Sequence, residues 1–304
     1  MGTSSYSVEV CKSIINSGFH VVGVCTKPDS KIGRGKDLTP HPLKDFALKN
    51  DVTVLTPIDL TSCDVLRDFS ELKPNLIVLV GYGLLVPSQI LKLPEYGCLN
   101  IHPSLLPRYR GPSPVSSAII NGDDFTGVSV MLMDEGLDTG PVLQQKRVII
   151  DESETANELT YKLFKIGGDM LVDLIPLWTD GSINLTKQDE TQASNTSKIV
   201  KQDGRIKWDE DAQSISRKVR AYSPWPGTFS TWRGKNFKLL DAKISDPVSK
   251  KRHGKLSGSV TEGLYVSTGK GILEIKSLQM EGKQPTSAKE FIIGYPDFEK
   301  DILT

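Results

Sequence analysis

The stretch Asn75–Val80, NLIVLV, constrains the fold more than any other part of the chain. A strand with one wet face alternates apolar and polar residues. An unbroken apolar run fits a strand covered on both faces, as in the interior of a parallel sheet. A helical pattern precedes it at Ser62–Leu72. A second strand, Gly97–His102, follows it and leads to a helix at Pro114–Ile120. Further strands are expected at Val21–Thr26, Val52–Thr56, Thr126–Met133 and Pro141–Ile150. Further helices are expected at Glu9–Ser17, Pro42–Asn50 and Thr155–Trp178. Strands alternating with helices predict an α/β, Rossmann-like, doubly wound and mostly parallel sheet over residues 1–187.

The helix at Glu9–Ser17 is preceded only by Met-Gly-Thr and a serine-rich turn. In a doubly wound domain the first helix follows a strand, usually a central one. The expectation is therefore a domain short of its first strand, with the true start lying upstream. After about residue 185 the pattern changes. Residues 188–204 are polar and linker-like. Residues 205–304 carry a short helix at Asp211–Arg220, then strands at Phe237–Leu240, Gly258–Thr261, Leu264–Ser267 and Ile272–Leu278, as expected of a small OB-like β-barrel.

Several chemistries are excluded early. No run approaches the roughly 18 apolar residues of a membrane span. The four cysteines, Cys11, Cys25, Cys63 and Cys98, form no C-x-x-C pair, so a reducing cytoplasmic setting is expected. The four histidines, His20, His41, His102 and His253, have no metal-ligand spacing, so no metal is expected. There is no GxSxG nucleophile motif, no GxGxxG fingerprint and no P-loop.

What remains is CLNIHPSLLPRYR, residues 98–110. Residues two apart on a strand share a face, so Asn100 and His102 project together. They do so at the carboxyl end of the strand, where open α/β sheets bind their ligands. The Asn100 amide is a neutral donor suited to an oxygen that becomes negative during attack. His102 can donate to that oxygen or accept a proton from an attacking amine. Such a pair needs a carboxylate, and the loop MDEGLDTG (133–140) offers Asp134, Glu135 and Asp138. Spacing does not choose among them, and a turn capped by Asp explains the loop equally well. A donor, a histidine and a carboxylate without nucleophile or metal point to direct acyl transfer.

LNIHPSLLPRYRGPSP followed by GVSVMLMDEGLDTGPVL resembles the folate-dependent formyltransferases. The resemblance implies a catalytic set of Asn100, His102 and Asp138. It also implies a tetrahydrofolate-binding turn at Ser104, Leu105, Leu106 and Pro107. The stretch VGYGLLV (80–86), with Tyr82, Gly83 and Leu84, is expected to wall the pterin. TKPDSKIGRGKDLTPHPLK (26–44) is similar to the acceptor-stem loop of the branch acting on methionyl-initiator tRNA, which makes Arg34 and Lys36 the expected tRNA contacts. RAYSPWPGTFSTW and SAKEFIIGY are similar to that branch's tRNA-binding C-terminal domain. From residue 204 onward roughly 18 Lys and Arg face roughly 12 Asp and Glu, a balance that suits a polyanion.

The family opens with a strand running into M-G-T-P-D-F, whereas here Met-Gly-Thr leads into Ser-Ser-Tyr. The implied function is transfer of formyl from 10-formyltetrahydrofolate to the methionyl amine, with Asp138 orienting His102 and favouring its protonated form. The expected protein is a monomer in a bacterial cytoplasm, with an organelle as the alternative. Two rival functions are a formyltransferase acting on a glycinamide ribonucleotide or amino sugar nucleotide, and a tRNA-binding module with an impaired catalytic domain.

Overall fold

The computed structural model describes residues 1–32, 37–245, 256–257, 263–298 and 301–303. The chain divides into two compact units. The first comprises Met1–Pro114, Phe125–Ile149 and Leu159–Ser197, and the second comprises Val115–Asp124, Ile150–Glu158 and Lys198–Thr304.

In the first unit α1 (Ser5–Asn16) leads to β1 (Val24–Cys25), and β2 (Ser30–Ile32) pairs with β3 (Asp37–Thr39) as a small hairpin. Next come α2 (Pro42–Lys49), β4 (Val54–Leu55) and α3 (Cys63–Leu72). Pro42 stands in the first turn of α2, where its missing N–H costs nothing. The Ser62 hydroxyl caps α3 by accepting from Val65 N at 3.3 Å. The NLIVLV run yields β5 (Ile77–Leu79), followed by α4 (Ser88–Leu91) and β6 (Cys98–His102). α5 (Pro114–Asn121), nearly all of it in the second unit, precedes β7 (Phe125–Leu132), β8 (Val142–Ile149) and α6 (Ala156–Thr179), which belongs to the first unit from Leu159 on.

β1 pairs parallel with β4, and β5 with β6, but β7 and β8 run antiparallel to their neighbours. The parallel part of the doubly wound sheet is thus its first half. Met133–Pro141 contains no helix, so the chain returns beside β7 in the only direction a plain loop allows. α6 packs closely on the sheet at Gly167, where a Cβ would overlap Ile101 and Val128.

Between β1 and β5 only Met1 and Gly2, among the described residues, bridge the sheet. Gly2 N donates to Cys25 O at 3.0 Å, Val80 N donates to Met1 O at 2.9 Å, and the Met1 ammonium donates to Val78 O at 2.6 Å. These are the bonds of a two-residue strand parallel to β5. Beyond the ammonium, on the line of that strand, lies a cavity of about 630 Å³, lined by Val10, Ile14, Leu43, Phe69, Leu72 and Ile175 among others. Burial there lowers the pKa of the ammonium.

In the second unit Asp211 caps α7 (Ala212–Ala221) by accepting from Ser214 N at 2.8 Å. The strands are β9 (Thr228–Trp232), β10 (Lys235–Ser245), β11 (Leu256–Ser257), β12 (Leu264–Ser267), β13 (Ile272–Met280) and β14 (Thr286–Ser287), followed by α8 (Ala288–Gly294). They form one antiparallel sheet in the order β11-β12-β13-β10-β9, with β14 on β13. Among the described residues this is a curled half-barrel with β9 and β11 as edges, in line with the small OB-like barrel expected from the sequence. The strand expected at Gly258–Thr261 lies outside the described residues.

The curl has a local cause in β10. Phe237 and Leu239 point inward, the register slips around Asp241, and Ala242 then points inward in the opposite phase. The apolar side is covered by helices: Ile215 and Val219 of α7 and Phe291 and Ile292 of α8 join Phe237, Leu273 and Ile275 in one core. Among the described residues no helix is long and apolar enough to cross a membrane.

Candidate active site

β6 is central to its four-stranded sheet, lying between β5 and β7. Its parallel pairing sets Leu79 beside Asn100, so residues 80–86 leave the sheet next to the site. Its antiparallel pairing sets Ser129 beside His102 and Leu132 beside Leu99. The loop after β7 therefore starts at the far end of β6, with Met133 N donating to Cys98 O, and folds back until Asp138 reaches Asn100 and His102. Asn100 Nδ2 donates to Asp138 Oδ1 at 3.3 Å. Gly111 N donates to Asp138 Oδ2 at 2.8 Å, and His102 Nδ1 lies 3.5 Å from that same oxygen.

The structure thus separates three carboxylates that sequence spacing left equivalent. Asp134 closes its own loop, accepting from Gly136 N at 3.0 Å and Thr139 Oγ1 at 2.7 Å. Glu135 is exposed and pairs with Lys92 at 3.4 Å. Asp138 alone joins Asn100 and His102.

His102 is 4% exposed, and its Nε2 lies 2.9 Å from Tyr109 O. A carbonyl only accepts, so Nε2 carries the hydrogen and Nδ1 is the ring atom turned toward Asp138. Asn100 is partly exposed, and its amide nitrogen has two hydrogens, of which Asp138 takes one. Two non-glycine residues here have left-handed backbones, Tyr109 at φ 60° and Asp138 at φ 54°. Such conformations cost roughly 1–3 kcal/mol each and persist where the surroundings hold them.

The other expected contacts divide by exposure. Ser104 is fully buried, and its hydroxyl donates to Arg108 O at 2.7 Å. Leu106 is buried against Met131 and Val142. Gln145 and Ser129 bind the turn from below, Gln145 Nε2 donating to Leu106 O at 2.8 Å and Ser129 Oγ to Ser104 O at 2.6 Å. Leu105 and Pro107 are the partly exposed members of this turn.

Tyr82 belongs to the core, 2% exposed with its hydroxyl 3.5 Å from Cys25 Sγ, and burial raises the pKa of both groups. Gly83, Leu84 and Leu85 are exposed, with Leu85 the most open of the apolar pair. Arg34 and Lys36 lie outside the described residues. Among those described, no cluster of three or more His, Cys, Asp or Glu is gathered as metal ligands would be.

Sequence reasoning missed Arg110 and Gln188. The polar run from residue 188, expected to be a linker, belongs with the first unit as far as Ser197. Gln188 is 6% exposed, and Ser194 and Thr196 bond the backbone at Tyr109–Ser113. Nothing in QDETQASNTS separates a buried polar strap from a solvated one.

Residues 1–175 match the formyl transferase family, and residues 198–296 match the formyl transferase C-terminal domain. A methionyl-tRNA formyltransferase of Chloroflexus aggregans is 37% identical over 295 residues, spanning 97% of this chain and 96% of that protein. One from Dehalococcoides mccartyi is 39% identical over 302 residues, spanning 98% and 96%. The chain belongs to the methionyl-tRNA formyltransferase family. Among solved structures, WlaRD, a sugar 3N-formyl transferase crystallised with dTDP and 5-N-formyl-THF, shares the fold at TM-score 0.66. It is 20% identical, over 93% of this chain and 97% of its own.

Proposed function

We propose that the chain transfers the formyl group of 10-formyltetrahydrofolate to the α-amino group of methionyl-initiator tRNA. The observation that carries this reading is the meeting of Asn100, His102 and Asp138 at the carboxyl end of β6, in a chain with full-length methionyl-tRNA formyltransferase relatives. The methionyl nitrogen attacks the formyl carbon, the bond from that carbon to N10 breaks, and one proton passes from the amine to N10. Nothing is oxidised or reduced.

The chain's own groups divide this work. The second N–H of Asn100, left over after Asp138 takes the first, is placed for the oxygen that becomes negative. His102 is held by Tyr109 O through Nε2, so Nδ1 is the atom through which it exchanges a proton with the reacting groups. Asp138 sets the ring's orientation and carries the balancing charge. The exposed Leu84 and Leu85 and the partly exposed Leu105 supply apolar surface for the folate ring. Arg34 and Lys36, with the Lys- and Arg-rich residues after 204, supply positive charge for the tRNA.

The test is formyl transfer from 10-formyltetrahydrofolate to methionyl-tRNA, measured alone and in competition with glycinamide ribonucleotide and an amino sugar nucleotide. The expected result is formyl-methionyl-tRNA with little effect of either competitor. Preferential formylation of a small amine overturns the substrate assignment, and tRNA binding without any transfer overturns the activity.

A further inference from the structure

We infer that Arg110 and Gln188 are positioning residues that hold Asp138 in register with His102. The inference rests on the formyl-transfer reading of the site.

The Gln188 side chain spans two carbonyls of the catalytic loop, its Nε2 donating to Asp138 O at 2.8 Å and to Gly140 O at 2.7 Å. Its Oε1 accepts from Arg110 Nε at 3.0 Å and Nη2 at 2.8 Å. Both ends of the amide are thereby specified: the oxygen faces a group that only donates, and the nitrogen faces two that only accept. Arg110 is 5% exposed, and the remaining edge of its fork binds Glu190, with Nη1 and Nη2 at 2.9 and 2.7 Å from the carboxylate oxygens. The next residue, Gly111, donates its N–H to Asp138 Oδ2. The bonds close a ring: Asp138 carboxylate, Gly111 N–H, Arg110 guanidinium, Gln188 amide, Asp138 carbonyl.

The ring meets a physical need. Asp138 has φ 54°, and a left-handed aspartate returns to ordinary backbone unless something holds it. The Gly111 and Asn100 bonds hold only the carboxylate. On a loose backbone the carboxylate pivots about them, and the 3.5 Å approach to His102 Nδ1 changes with it. Gln188 removes this freedom by fixing the carbonyls on both sides of Thr139. Arg110 fixes Gln188 in turn, as a planar fork does and a lysine does not. Neither side chain bonds to Asn100 or His102, so both act through Asp138.

The experiment compares the full chain with Gln188→Glu, Gln188→Met and Arg110→Lys. Gln188→Glu keeps the shape and the acceptor facing Arg110 but sets a carboxylate oxygen against the Asp138 carbonyl. Gln188→Met keeps bulk and removes all four bonds. Each variant is read by kcat and KM for both substrates, by the pH profile of kcat, and by the ¹⁵N resonances of the His102 ring. Misplacement by about an ångström lowers rates by up to roughly 10². The expected result is a fall in kcat of about tenfold or more, KM values within about threefold, a displaced pH profile, and a shifted Nδ1 resonance with Nε2 unmoved.

Two outcomes overturn the inference: folded variants with kcat within about twofold of the parent, or lowered kcat with an unchanged His102 spectrum. If Gln188→Glu fails to fold, Gln188→Met and Arg110→Lys carry the same readouts. The ring resonances report on Asp138 without any substrate, so failure of this inference is distinct from failure of the substrate assignment.

Discussion

Attaching four aliphatic residues to the Met1 nitrogen should stabilise the protein substantially. A strand residue occupies roughly 3.3 Å along its axis, about 4.8 Å between strands and about 10 Å between packed layers, or about 160 Å³. The cavity beyond Met1, about 630 Å³, therefore takes about four residues. Their path is already marked, because Met1 and Gly2 make parallel-strand bonds to Val78, Val80 and Cys25. The lining is mostly apolar, with Val10, Ile14, Leu43, Phe69, Leu72 and Ile175 placed to cover added aliphatic side chains.

Four buried aliphatic side chains contribute roughly 6–12 kcal/mol, against an ordering cost of about 1.5 kcal/mol per residue. An amide at Met1 would still donate to Val78 O while removing a charge that burial disfavours. The net gain is about 3 kcal/mol, which at roughly 2–4 °C per kcal/mol raises Tm by about 6–12 °C. The assay is a thermal melt of the chain with and without a Val-Ile-Val-Ile extension, alongside an extension in which two residues are Asp. Aliphatic and Asp-bearing extensions that melt alike would refute the reasoning, as would an aliphatic one that leaves Tm unmoved.

Other expected outcomes are more local. Asn100→Ala should lower kcat by roughly 10²–10³ with tRNA affinity nearly intact, and near-normal turnover removes Asn100 from the oxyanion role. Gly140→Ala should cripple transfer by displacing the Asp138 loop, since the added Cβ overlaps the Leu132 carbonyl; an active enzyme would show that the loop yields. Native alkylation near pH 8.5 should modify the exposed Cys63 first, because burial holds the Cys98 thiol at a pKa of about 12; early labelling of Cys98 contradicts its placement.

Asp211→Ala should cost about 1 kcal/mol at pH 7. The Ser214 N–H holds the Asp211 carboxyl below its usual range, so this stabilisation is present above about pH 4 and disappears as pH falls through the folded value. An acid melt in which parent and variant stay equally far apart refutes the cap. Phe298→Ala should cost about 3–5 kcal/mol, since the ring is fully buried in edge contacts with Trp232, Phe237 and Phe291; a small Tm change would show a core able to collapse.

The sequence by itself determined most strands and helices of the first unit and the shared face of Asn100 and His102 on β6, but not the short strands β2, β3, β9 and β14 or the helices α4 and α8. An apolar run such as NLIVLV, the i, i+2 spacing of Asn100 and His102, and helix spacing at Ala156–Thr179 are local properties carried by the chain wherever it goes. Only the tertiary structure decided among Asp134, Glu135 and Asp138, because a loop that doubles back along β6 has no period to read. It also turned Tyr82 into the core and drew Gln188 from an apparent linker into a buried clasp on the loop bearing Asp138. Direction in the sheet was settled late too, since β7 and β8 read as strands with either polarity. Hydrogen bonds between residues 50 or 80 positions apart leave no pattern in either partner's neighbours. Periodicity reports which face a residue occupies, and only folding decides what that face meets.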